Sequence, residues 1–165
     1  MVMTKAELIS SLQDEVRILL HLAGKVEPSM LDYRPTPKQR STIELLQYLS
    51  FMGPELIRAI RAGGFDGAVW TAAEQRASAL SFGGVLAAIE AQKDTYATAL
   101  GEIADEEMRR EIALFGPPSS VGATLVNQVL CGCAAYRTQL FLYLKACGRH
   151  ELSTLNLWAG VDAAM

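Results

Sequence analysis

Apolar residues recur at helical spacing in four long stretches of this chain. The first follows Thr4, a helix-capping residue, and carries Leu8, Leu12, Val16, Leu19 and Ala23 on one stripe up to about Gly24. Glu7, Asp14, Glu15 and Arg17 fall largely off that stripe and are expected to meet water. The second opens on Ser41-Thr42-Ile43-Glu44, a capping-box pattern, and continues through Ile43, Leu46, Leu49, Leu56 and Ile60 to Gly63-Gly64. Gly53-Pro54 in its middle predicts a kink or two abutting helices, because proline removes a ladder hydrogen bond. The third begins after Ser81 and runs through Val85, Ile89, Tyr96, Leu100 and Ile103.

The fourth stretch, Ser119 to Gly148, is the longest, and the rest is organised around it. Val121, Leu125, Val129, Ala135, Leu140 and Leu144 supply its apolar positions, and Arg137 and Lys145 are its only formal charges. Ser119 or Ser120 can cap its start after Pro117-Pro118, and Gly148 can end it. A helix apolar on most sides is expected to be wrapped by others.

Between these stretches the pattern breaks. Lys25 to Arg40 holds Pro28, Pro35 and Pro37 and cannot be regular helix, so Leu31 to Pro35 should be extended or turned. Phe65 to Val69 reads as loop, Trp70 as a plug at the bundle end, and Thr71 to Ala79 as a short extra helix. Asp105-Glu106-Glu107 reads as a solvated face, and Ile112 to Phe115 as an apolar connector. After Gly148, Leu152, Leu155, Leu157 and Trp158 make the tail apolar enough to dock back. The pattern predicts an all-α four-helix bundle, one domain over residues 1–165, with 152–165 as a docking tail.

Composition narrows the function. Half of the 165 residues are apolar and 20% are charged, as in an ordinary globular domain. A net charge of -3, with no dense Lys/Arg cluster, argues against a nucleic-acid partner. The N-terminus turns polar at once, without the apolar core of a signal peptide. Asn127, Gln128, Arg137, Thr138 and Gln139 interrupt the fourth helix and argue against a membrane span. The expected compartment is therefore the cytoplasm, with Cys131, Cys133 and Cys147 as free, buried thiols. Cys131 and Cys133 stand two apart, roughly 200° around a helix, and do not form a chelate.

The familiar catalytic motifs are missing: no phosphate-cradling glycine loop after a strand, no H-E-x-x-H, no G-x-S-x-G. His21 and His150 are the only histidines, and His21 reads as a partly exposed residue near a helix end. Polar tips on the fourth helix remain. Tyr136, Gln139 and Tyr143 share one face, and Gln128, Gly132 and Tyr136 another. They read first as a satisfied internal hydrogen-bond network and second as the lining of a cavity in the bundle.

Three stretches carry a resemblance to the DinB-like superfamily, the damage-inducible and YfiT-type four-helix bundles. Leu31 to Leu49, LDYRPTPKQRSTIELLQYL, is similar to the family's proline-rich crossover and second-helix start. Ala135 to Gly148, AYRTQLFLYLKACG, resembles its H-H-R-G-Q-L segment, and STLNLWAGVD resembles C-terminal segments of some members. The resemblance implies an up-down-down-up bundle, often a dimer, with the long proline-rich crossover between helices one and two. It also implies a site inside the bundle, where many members hold a divalent metal on three histidines. At the corresponding positions this chain has Tyr48, Gly132 and Tyr136, and Ala135 replaces a further histidine. A neutral phenol is a poor ligand for most divalent metals and glycine has no side chain, so no metal and no cofactor is expected. Gly132 would then leave space for a tyrosine ring larger than the imidazole it replaces.

The function expected on this reading is small-molecule binding in a degenerate, metal-free site, or no catalysis. The site residues would be Tyr48, Gly132, Tyr136, Gln128 and Gln139. One alternative is a thiol-dependent transferase or metal-dependent hydrolase of the family's type. Another is an interaction protein acting as a helical homodimer. The expected partners are a small ligand and a second copy, with neither nucleic acid nor membrane.

Overall fold

A computed structural model describes residues 3–163. Helix α1, Lys5–Ala23, starts at a Thr4–Glu7 capping box and buries Leu8, Leu12, Val16, Leu19 and Ala23. Among the next residues only Pro28–Met30 forms a 3₁₀ turn, as the prolines dictate. Backbone bonds from Thr42 to Tyr33 (2.9 Å) and from Ile43 to Leu31 (3.0 Å) tie this connection to the helix that follows.

That second helix is two abutting pieces, α2 (Thr42–Leu49) and α3 (Met52–Ala62). The break falls at Ser50–Phe51, upstream of Gly53-Pro54. A proline ring clashes with the carbonyl four residues earlier, here Ser50, so the chain breaks there and Pro54 sits in the first turn of α3. Gly63 ends α3 with φ +70°, a left-handed conformation that favours glycine. Helix α4, Gly67–Ser78, starts earlier than the pattern predicts, because the Asp66 carboxylate accepts from the amides of Ala68 and Val69. Helix α5, Phe82–Gly101, begins at the Ser81 cap, and the acidic run forms a short helix, α6 (Asp105–Met108). Glu111–Ile112 (β1) then pairs antiparallel with Ser119–Ser120 (β2), a two-stranded bridge between helices.

The fourth helix is continuous from Val121 to Ala146 but not uniform. It is α-helical over Val121–Thr124 (α7), π-helical over Leu125–Leu130, and α-helical again over Cys131–Ala146 (α8). Ser120 caps it through a bond from the Ala123 amide. The wider π turn advances the register, and this corrects two expectations: Ala135 and Cys131 are exposed rather than buried. Leu142 is 58% exposed, so one face of α8 meets solvent rather than being wrapped.

Side-chain ties give the helix directions. Lys5 donates to the carbonyl of Ile103 and Gln13 to that of Lys93, so α1 and α5 are antiparallel. Glu15 pairs with Arg137 and Arg149 donates to the carbonyl of Lys25, so α1 and α8 are parallel. Gln92 donates to the carbonyl of Leu49 and Arg61 pairs with Glu102, so α2–α3 and α5 are parallel. The topology is up-down-down-up. Two consecutive parallel helices need a return path, and α4 provides it.

One apolar core joins Leu12, Leu22, Leu45, Leu46, Ile57, Ile60, Ile89, Leu100, Leu125 and Leu140. Trp70 does not plug an end; it packs on Tyr48, Phe51 and Phe65 beside the α2–α3 break. Glu15 does not meet water either: its carboxylate receives two bonds, of 2.7 and 3.0 Å, from the buried Arg137 guanidinium. Arg137 also donates to the carbonyl of Leu157 in the tail helix α9, Thr154–Trp158. Among the described residues no helix is long and apolar enough to cross a membrane.

Candidate functional site

The α2–α3 break and the π-helical turn lie on neighbouring, packed helices, and a solvent-open cavity of about 410 Å³ lies between them. Irregular helix of this kind recurs at functional sites, because it re-aims side chains that a straight helix would stack in register. Tyr48, Met52 and Leu56 come from α2–α3, Phe65 and Trp70 from the start of the return, and Phe115 from the connector after β1. Asn127, Gln128, Gly132 and Tyr136 come from the fourth helix.

The wall is a chain of aromatic contacts. Tyr48 and Tyr136 meet edge to face with centroids 5.0 Å apart, and Tyr48 lies 6.1 Å from Trp70. Phe65 bridges Trp70 and Phe115, at 5.4 Å from each. The Arg40 guanidinium sits 3.9 Å from the Tyr48 centroid, a cation–π contact. Burial, and next the neighbouring Tyr136, push the Tyr48 phenol well above the ordinary tyrosine range, while Arg40 acts weakly the other way. Tyr48 is therefore a neutral phenol at any physiological pH.

The sequence-predicted residues separate here. Tyr48, Gly132, Tyr136 and Gln128 line one cavity. Gln139 lies away from it: its amide donates to the Tyr143 hydroxyl, which donates to the carbonyl of Arg40 at 2.9 Å. That face of α8 is a closed network pinning the start of α2. The reason expected for Gly132 is corrected as well. A Cβ there would meet the Met52 thioether at 3.7 Å, an ordinary contact, rather than a tyrosine ring. Phe65, Trp70, Phe115 and Asn127 were not singled out as site residues, since only the return of α4 and the connector after β1 bring the three aromatics to the cavity.

A second polar group sits deeper. Tyr96 is fully buried, donates to Gln92 Oε1 at 2.7 Å, and Gln92 donates to the carbonyl of Leu49 at 2.8 Å. The Cys133 thiol lies beside the Tyr96 hydroxyl, and burial pushes it up to about 12. A thiol so raised carries little thiolate, the reactive form, at neutral pH.

No family model matches the sequence. No curated protein matches it either. Among solved structures it is similar to a DinB-like protein from Bacillus subtilis, YjoA: 18% identity, TM-score 0.66, covering 88% of this chain and 95% of that one. The fold is DinB-like. The residues lining this cavity do not suit a divalent metal: two phenols, a glycine, two amides and a thioether are weak donors for it. Among the described residues no three His, Cys, Asp or Glu side chains are grouped as a metal site requires.

Proposed function

We propose that this DinB-like bundle binds a small organic molecule in the aromatic cavity, with a central site that has lost metal ligation. The observation that carries the reading is the cavity itself, about 410 Å³ walled by Tyr48, Phe65, Trp70, Phe115 and Tyr136. That volume lies in the range of small-molecule pockets, and an apolar wall with a few polar groups is what such pockets present. Phe65 and Phe115 are 45% and 51% exposed, a hydration cost that a ligand would relieve. Catalysis by the chain's own thiols has less support. Cys131 faces solvent outside the cavity and the Cys133 thiol is shut in the core.

Trp70 lines the cavity and Trp158 does not, so a Trp158→Phe protein reports on the site by its remaining tryptophan. Titration with a library of small aromatic and heteroaromatic compounds should produce saturable changes in Trp70 emission, with a matching rise in Tm. A library that leaves both unchanged counts against the reading. So does a transition metal retained stoichiometrically after chelator treatment.

A further inference from the structure

We infer that the occupant of this cavity is an uncharged, fused nitrogen heterocycle with adjacent hydrogen-bond donor and acceptor on one edge, of purine or pteridine type. The inference rests on the small-molecule reading above and specifies the ligand's chemistry. It comes from what the lining contains and what it lacks. Asn127 and Gln128 bring two primary amides to the cavity; Asn127 is exposed and Gln128 half-buried, so both amides are open to a ligand or to water. They come from consecutive residues of the π-helical segment and both line this cavity.

A primary amide presents an acceptor and donors side by side, the pattern by which Asn and Gln pair with adenine N6 and N7. Aromatic side chains beside such amides are how single bases are held, since every base has a stacking face. Other ligand classes fit less well. An anion finds no cation in the lining, where no charged side chain is present. An organic cation finds no carboxylate in the lining, and the Arg40 guanidinium already lies 3.9 Å from the Tyr48 ring centroid. A plain hydrocarbon ring would cover two amides and pair neither.

The test is calorimetric titration of the full chain with adenine, indole, tetramethylammonium and benzoate, repeated on Gln128→Met/Asn127→Leu after its thermal unfolding confirms a folded protein. Adenine should bind at least about tenfold tighter than indole, as expected for two paired edge groups. The double substitution should weaken adenine by about tenfold or more and leave indole within about twofold. Indole binding as tightly as adenine, adenine unaffected by the substitutions, or preference for the cation or the anion overturns the heterocycle and leaves the small-molecule site standing. If no probe binds, and the library leaves Trp70 emission unmoved, both fall.

Discussion

Gly53 and Tyr96 share one space. A Cβ built on Gly53 would stand 2.0 Å from the Tyr96 hydroxyl oxygen and 3.0 Å from its Cζ. The hydroxyl sits against backbone that only glycine leaves bare, and it is held there by Gln92, which also satisfies the carbonyl at the end of α2. One buried network thus joins α5 to the break in the second helix.

Gly53→Ala should therefore destabilise by about 3 kcal/mol or more, as overpacking against a fixed ring does. Tyr96→Phe alone should cost roughly 1–2 kcal/mol, since Gln92 loses its donor. Together they should cost clearly less than the sum, because the nearest clash is removed. Urea denaturation of the four proteins checks this, and strict additivity would place the two residues apart.

The fold was legible and the site only half so, for physical reasons that particular residues show. Capping boxes at Thr4 and Ser41 and the glycine stop at Gly63 are local chemistry, and they set helix ends as expected. The break before Pro54 was expected, but not its offset to Ser50, which depends on where the proline ring clashes. The π turn had no sequence signal at all, and it moved Ala135 and Cys131 out to solvent. Glu15 lies off the stripe of α1, yet its partner Arg137 is 122 residues away. Tyr48 and Tyr136 could be paired through a family resemblance. Phe65 and Phe115 reach the same cavity by tertiary routes that periodicity does not encode.

The Glu15–Arg137 pair holds the tail. The Arg137 side chain is 4% exposed and that of Glu15 14%, so removing one partner strands a desolvated charge. Arg137→Met should cost about 3–5 kcal/mol, whereas Glu15→Leu/Arg137→Met should be much closer to wild type. Both should release the tail, since Arg137 also donates to the carbonyl of Leu157. Limited proteolysis after residue 149 should accelerate in both, and equal resistance in all three proteins would show that the tail is anchored elsewhere.

The tail has a second fastening that titrates. Asn156, buried, donates to Asp162 at 2.9 Å and lies 3.1 Å from His21 Nε2, which accepts only when neutral. Burial lowers the His21 pKa most, and Lys25 and Arg17 add to this against the pull of Asp162. A histidine with a lowered folded pKa stabilises the native state fully above its ordinary value, about 6.5, and loses that contribution as pH falls below it. Hydrogen exchange of the tail amides should quicken as pH drops from about 7 to about 5, after correction for intrinsic rates. His21→Gln should abolish that dependence; a tail equally protected at both ends of the range would rule the mechanism out.

The thiols should differ sharply in reactivity. Cys131 faces solvent, whereas the Cys133 thiol is enclosed beside Tyr96 and pushed up to about 12. Burial also raises the Cys147 thiol, though less completely. The thiolate is the reactive form, so a disulfide reagent at neutral pH should label Cys131 first, Cys147 more slowly, and Cys133 only on unfolding. Rapid labelling of Cys133 in the native protein, read by peptide mass spectrometry, would contradict its placement.

The correspondence with a three-histidine site that the family resemblance implies can be tested by building that site. Tyr48 and Tyr136 are in ring contact, and Gly132 lies one turn before Tyr136 on the same cavity wall. Imidazoles at these three places would converge from two helices with an open position toward the cavity, the arrangement of catalytic zinc sites. Tyr48→His/Gly132→His/Tyr136→His should bind zinc or nickel stoichiometrically and gain thermal stability from it. The single changes should bind neither metal tightly. Gly132→Ala by itself should be tolerated, at a cost of about 1 kcal/mol or less, because its Cβ has an ordinary 3.7 Å contact with flexible Met52. A triple variant that folds but holds no metal would mean that these side chains do not converge, and that the three-histidine correspondence implied by the resemblance does not hold at these positions.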